Sequence, residues 1–217
     1  MIDNIKYVQV DLGRRLRSHG PFYRKMRIMG SEKGRPPVPG RRELLVSTAV
    51  DIIAEKGMKG LSHLTVDARA GVPRGSTSNY FRTRAALVGA VLDHIEASYT
   101  QALDMEEPAD TADLSQIGDA LVSLVHRLLS DEYRSATRAR QIIAYDADGD
   151  STENFVRLRN HCAAAVERAG VTNSTRCAIT MWDYLEGVMA HALTVKGYEI
   201  DDAQMRAVMD CLTSQYR

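Results

Sequence analysis

From Arg41 onward, apolar residues return at intervals of three and four, and no segment sustains the alternation of a strand. Leu45, Ala49, Ile52 and Ile53 mark a first helix that Gly57 stops. A short helix follows Ser62, Gly71 and Pro73 break the chain, and another short segment reaches Phe81. A longer helix carries Leu87, Val88, Val91, Leu92, Ile95 and Tyr99 on one face and ends before the loop around Glu106 to Pro108. Leu114, Ile117, Leu121, Leu124, Val125 and Leu128 form the next stripe. The segment from about Asp131 to Tyr145 is helical but less regular. Asp150 and Glu153 have capping-box spacing and open a helix through about Arg168. Two last helices run from about Thr175 to Lys196 and from about Asp201 to Tyr216. The predicted class is all-α.

Residues 1–40 read differently. Gly13, Gly20, Gly30, Gly34 and Gly40, with Pro21, Pro36, Pro37 and Pro39, prevent a long helix near the end of this stretch. Arg14, Arg15, Arg17, Arg24, Lys25 and Arg27 make it positive. The expectation is a basic, disordered arm with a weak helical signal at 5–18. Met26 and Met29 are alternative starts, so residues 1–28 need not be native. Two readings of the arm stand side by side: extra phosphate contacts, or a solvated tail with no partner.

Charge sharpens the division. The 217 residues hold 28 Lys and Arg against 28 Asp and Glu. Residues 1–84 nevertheless contain 17 basic and 7 acidic side chains, a net of +10, and residues 85–217 have a net of −10. A basic third beside an acidic remainder points to a polyanion as the partner of the first part. Three distant cysteines (Cys162, Cys177 and Cys211) have no metal or redox spacing and are read as packing residues. No apolar run approaches the roughly 18 residues that span a bilayer, and the start has no secretory core. The expected setting is cytoplasmic.

The informative block is Ser62 to Arg84. Two short helices and a glycine-containing turn fit within it, with the size and punctuation of a helix-turn-helix. Ser62 suits an N-cap, Val66 and Ala70 face inward, and Gly71 accepts a left-handed turn. Val72 plugs that turn and Pro73 presets the entry to the second helix. The second helix, Arg74-Gly75-Ser76-Thr77-Ser78-Asn79-Tyr80, is too polar for a core. Its short hydrogen-bonding side chains and its arginine are groups that reach base edges and phosphates. A polar helix that simply faces water is the alternative.

Residues 41–95 resemble the N-terminal DNA-binding domain of the TetR (tetracycline-repressor) family of bacterial regulators. The resemblance rests on the arginine-led first helix, Ala54 through Gly57, Ala70-Gly71-Val72, Gly75, Tyr80-Phe81, Arg84 and Leu87. It implies a helix-turn-helix domain over 41–84 and a ligand-binding, dimerising helical bundle over 85–217. It also implies a DNA-facing set. Ser62, His63 and Thr65 would meet the backbone, and Arg74, Gly75, Ser76, Thr77 and Asn79 would form the recognition segment. Tyr80 and Arg84 would lie near phosphates. Two positions depart from the family pattern: Ser78 stands for a common tyrosine, and Asp67 for a small apolar residue, where it would cap or pair locally.

The helix from Thr175 to Lys196 is apolar on two sides. Ala178, Met181, Leu185, Val188 and Ala192 form one stripe, beside Trp182, Met189 and Leu193. With Met205, Val208, Met209, Leu212 and Tyr216 of the last helix, these stripes are expected to make a four-helix interface between two copies. A monomeric core is the alternative. Candidates to line an effector pocket are Tyr99, His126, Arg140, Tyr145, Phe155, His161, Trp182 and Tyr184. Each of them serves equally as a packing residue.

Catalysis finds no support. Asp146, Asp148 and Asp150 mimic a calcium loop, but Ser151 holds the turn-glycine position and Arg157 the closing acidic one. There is no phosphate loop, nucleophile elbow or metal-ligand spacing, so no catalytic residue, metal or cofactor is expected. The reading is a ligand-responsive repressor that binds a palindromic double-stranded operator as a homodimer and releases it on binding a small effector. The alternative is a helical dimerisation or interaction protein without sequence-specific DNA binding.

Overall fold

The computed structural model describes residues 40–106, 113–146 and 152–216, with side chains throughout except at 104–106, 152–158 and 161. The expected arm up to residue 39, the Asp150–Glu153 capping box and the acidic turn at Asp148 to Asp150 lie outside the described residues.

Every regular element among the described residues is helical. The helices are α1 (Arg41–Lys56), α2 (His63–Arg69), α3 (Ser76–Tyr80), α4 (Arg84–Glu106), α5 (Leu114–Leu128), α6 (Arg134–Ala144), α7 (Thr152–Arg168), α8 (Ser174–Thr194) and α9 (Asp202–Ser214), with a 3₁₀ turn at Met58–Gly60. Local chemistry fixes several ends. At the start of α1, the Gly40 N–H donates to the Glu43 carboxylate at 2.6 Å. Asp113 and Gln116 cap α5 reciprocally, each side chain accepting the other's N–H at 2.9 Å. Asp201 accepts the Gln204 N–H at 2.9 Å and opens α9. The irregularity expected after Asp131 is a turn through Ser130, whose carbonyl accepts from Tyr133 and Arg134, so α6 begins only at Arg134. Helix α8 stops at Thr194 because Val195 is extended.

Helix α1 packs on α2, α4 and α6; α5 packs on α4 and α9; α7 lies along α8. One apolar core joins Leu45 and Ile53 of α1 to Leu87 and Ile95 of α4, Leu128 of α5, Ile143 of α6 and Leu185 of α8. The threonine hydroxyl of Thr137 donates to the Leu128 carbonyl at 2.6 Å inside this core, so the polar group is satisfied where it is buried.

The two apolar stripes of α8 are consumed within the chain. Ala178, Met181, Leu185 and Val188 are buried, as are Trp182, Met189 and Leu193, and Ala192 is half-buried. Helices α7 and α9 both pack on α8, so most of these stripes are buried within the chain. On α9, Met205 and Met209 are buried, while Val208, Leu212 and Tyr216 are partly covered. Cys162 and Cys177 pack inside, and burial pushes the Cys162 thiol up to about 12, which keeps it protonated. Cys211 departs from the expectation: it is exposed on the outer face of α9.

Core packing yields a direct test. Leu124 is buried on α5, and Leu124→Ala should lower unfolding stability by about 2–5 kcal/mol in urea titration. Ser123→Ala, at the neighbouring exposed position, should change it by less than about 0.5 kcal/mol.

Candidate nucleic-acid interface

The segment between α2 and α3 is built around a buried carboxylate. Ser62 caps α2, its hydroxyl accepting the Thr65 N–H at 3.1 Å while the Thr65 hydroxyl accepts the Ser62 N–H at 2.9 Å. This exchange holds Val66 and Asp67 on the inner side of the helix. Asp67 is 1% exposed. Its Oδ1 accepts the Thr77 N–H at 2.7 Å and the Thr77 hydroxyl at 2.5 Å, and its Oδ2 accepts the Gly75 N–H at 2.7 Å. Burial by itself raises the Asp67 carboxyl. The hydrogen bonds from Thr77 and Gly75, with His63 nearby, outweigh burial and hold it below the ordinary aspartate value.

Gly71 (φ 65°) and Gly75 (φ 90°) take left-handed conformations on either side of this bend. A side chain at either would be strained, so both turns depend on glycine. The far end of α3 is also held. The His63 Nε2–H donates to the Phe81 carbonyl at 2.7 Å. The Phe81 ring is buried, and the Arg42 guanidinium of α1 stands 5.2 Å from its centroid.

These bonds sort the sequence-derived DNA-facing set. Arg74, Asn79 and Tyr80 are exposed, and Ser78 is exposed beside them. Arg74 lies in the turn ahead of α3 rather than on the helix, because the helix starts only at Ser76. Gly75 and Ser76 are half-buried, and the Ser76 hydroxyl donates to the Pro73 carbonyl at 2.6 Å. Thr77 points the other way: it is fully buried and bound to Asp67, so the structure gives it a place inside the turn and not on the outer surface. His63 and Thr65 spend their side chains on Phe81 and on the α2 cap. Ser62 and Arg84 are exposed, and Arg84 also donates to the Met58 carbonyl at 2.8 Å, tying the start of α4 to the 3₁₀ turn.

The effector candidates divide as well. Tyr99 of α4 is buried, with the Arg140 guanidinium of α6 lying 5.1 Å from its ring centroid. Arg140 is buried too and pairs with the Glu186 carboxylate of α8. Trp182 is buried one turn before Glu186. His126 does not join this group. The buried stripe of α5 turns it outward, where it meets Asp202 at 2.7 Å. Tyr145 is 83% exposed at the end of α6. Tyr184 is half-buried near Tyr198 and Asp201, and burial raises its hydroxyl above the usual value. The Phe155 and His161 side chains lie outside the described residues. Sequence reasoning misses Glu186; it is one of two carboxylates on a mostly apolar stretch of helix, and unlike the exposed Asp183 it stands one turn after the buried Trp182.

The clasp at Asp67 has a defined signature. Asp67→Ala leaves three donors without their acceptor and should cost roughly 2–4 kcal/mol of stability. Because the folded carboxyl is held below the ordinary value of about 3.9, the clasp contributes fully above that pH and is lost as pH falls through the depressed value. The stability gap between the native chain and Asp67→Asn, measured by urea unfolding, should therefore be constant near neutrality and shrink from about pH 4 downward.

No family model matches the chain. A 74-residue stretch is 39% identical to an HTH-type transcriptional repressor of Mycobacterium tuberculosis, covering 33% of this chain and 39% of the relative. An HTH-type transcriptional regulator of Mycobacterium bovis matches equally. The chain thus spans 39% of the length of these curated relatives. Among solved structures, a TetR-family member from Streptomyces coelicolor superposes with a TM-score of 0.65 at 24% identity, covering 80% of this chain and 98% of that one. A Rhodococcus transcriptional regulator gives 0.68 at 18% identity over 82% and 96%. The multidrug binding protein EbrR complexed with ethidium gives 0.60 at 22% identity over 80% and 98%. A helix-turn-helix braced against an all-helical core gives the chain the fold of the solved TetR-family regulator, and over 74 residues it shares sequence with HTH-type transcriptional regulators.

Proposed function

We propose that this protein is a ligand-responsive transcriptional repressor that binds a palindromic DNA operator as a homodimer in the cytoplasm, and that it works by binding rather than by catalysis. The observation that carries the reading is the clasped α2–α3 segment. Arg74, Ser78, Asn79 and Tyr80 are exposed on a short element whose two ends are pinned by buried or part-buried bonds to Asp67 and His63. Donors held in a fixed frame lose little entropy on meeting base edges, and residues 1–84 supply a net charge of +10 that favours a polyanion. The similarity to regulators of this family, and to the repressor of M. tuberculosis, supports the same class.

Two recognition segments need a two-fold axis. The second copy would sit on the outer face of α8 and α9, where Asp183, Gly187, Ala203 and Ala207 are exposed and Ile179 and Ala190 half-exposed. Small residues there let helices approach closely. An effector would enter the core near Tyr99 and Arg140; the likeness to EbrR, a multidrug binding protein, supports a core that takes small molecules.

The test is a mobility shift on the promoter fragment beside the protein's own gene. Arg74→Ala should cost roughly 1–3 kcal/mol and relax preference at one base position. Arg84→Ala should weaken all sequences about equally. Affinity should fall steeply as salt rises from about 50 to 200 mM. Binding that is indifferent to salt and to both substitutions would leave a helical interaction protein as the reading.

A further inference from the structure

The chemistry buried around Tyr99 narrows the kind of effector the core can hold, given that the core is an effector site. We infer that the effector is an uncharged small molecule bearing a carbonyl-type hydrogen-bond acceptor, received by the Tyr99 hydroxyl and the Trp182 indole N–H beside the Arg140–Glu186 pair. Four side chains from three helices define the place. Arg140 of α6 spans to Glu186 of α8 and lies over the ring of Tyr99 on α4. Trp182 stands four residues before Glu186, so the two share one face of α8.

Among the described contacts of this group, one guanidinium meets one carboxylate. A ligand that brought a further charge would bury it without compensation, or would have to break the pair and leave the displaced partner alone. Hydrogen bonding is not balanced. The Tyr99 hydroxyl and the Trp182 N–H belong to residues 1% and 2% exposed, and neither has a hydrogen-bond partner among the described residues. The indole nitrogen is a donor only, and the phenol donates through its single proton. Buried polar groups in native proteins are nearly always paired, and orphans demand an explanation. An incoming acceptor is the kind of group such donors lack. Arg140 is engaged by Glu186 and by the Tyr99 face, so its charge is restrained from drawing in a free carboxylate.

The experiment uses the full chain and four naphthalene probes of similar size in isothermal titration calorimetry. These are 2-acetylnaphthalene, 2-ethylnaphthalene, 2-naphthoate and 2-naphthylmethylammonium. The ketone should bind about tenfold or more tighter than the hydrocarbon and than either ion, the scale of one buried hydrogen bond. Trp182→Phe should remove most of the ketone's advantage over the hydrocarbon while leaving hydrocarbon binding unchanged. Glu186→Gln, which releases the Arg140 charge, should raise naphthoate affinity and leave the ketone little altered. Equal binding of ketone and hydrocarbon, tighter binding of either ion to the unsubstituted chain, or no binding by any probe would overturn the proposal. A mobility shift run with each probe separates the two levels. A ketone that binds without releasing DNA keeps the ligand class and removes the inducer reading. Release of DNA by an ion alone keeps the inducer reading and removes the ligand class.

Discussion

A carboxylate buried in a seven-residue helix must find donors, and Asp67 finds all of them in the next element of the chain. Two backbone N–H groups and one hydroxyl converge on it. That convergence decides where α3 starts, which way Thr77 points and which side chains are left on the outside. An apolar contact at the same place would hold the two helices together but would slide and rotate more easily. Three short hydrogen bonds specify angle as well as distance. The His63 bond to the Phe81 carbonyl and the buried Phe81 ring fix the opposite end of α3. A helix of five residues would not persist alone, and these external ties replace the cooperativity that its length denies it.

The same logic of buried polar groups organises the core. Thr137 closes its hydroxyl on the Leu128 carbonyl, and Arg140 closes its charge on Glu186. Each tie links helices that apolar packing brings together. Helix α4 connects the two regions. Its first residue is bound to the Met58 carbonyl of the turn before α2, and Tyr99 on the same helix lies under the Arg140 guanidinium. A change at Tyr99 therefore acts on a helix whose first residue is tied to the turn that precedes α2.

The burial of α8 also bears on how two copies would meet. Covering by α7 and α9 takes the most apolar residues of α8 into the chain's own core. The residues left exposed are mixed rather than greasy: Asp183, Gly187, Ala203 and Ala207, with Ile179 and Ala190 half-exposed. Association through them would depend on close helix approach and shape more than on apolar area.

The amino-acid sequence by itself determined the class of fold, the order of the helices and the location of the helix-turn-helix. Periodicity of apolar residues, breakers such as Gly71 and Pro73, and caps such as Ser62 and Asp113 act over a few residues, so they can be read along the chain. The sequence also determined the asymmetry of charge and the buried stripes of α1, α4 and α5. Only the tertiary structure decided which side chains are free. Thr77 and Asn79 are two residues apart and similar in polarity, yet one is buried on Asp67 and the other is exposed. Arg140 and His126 were equal candidates for the core, and only Arg140 has a carboxylate waiting inside the bundle. Met181 and Ile179 lie on opposite sides of one apolar helix, and the placement of α7 and α9 chose which would be buried. These outcomes depend on partners elsewhere in the chain, whose positions no local pattern encodes.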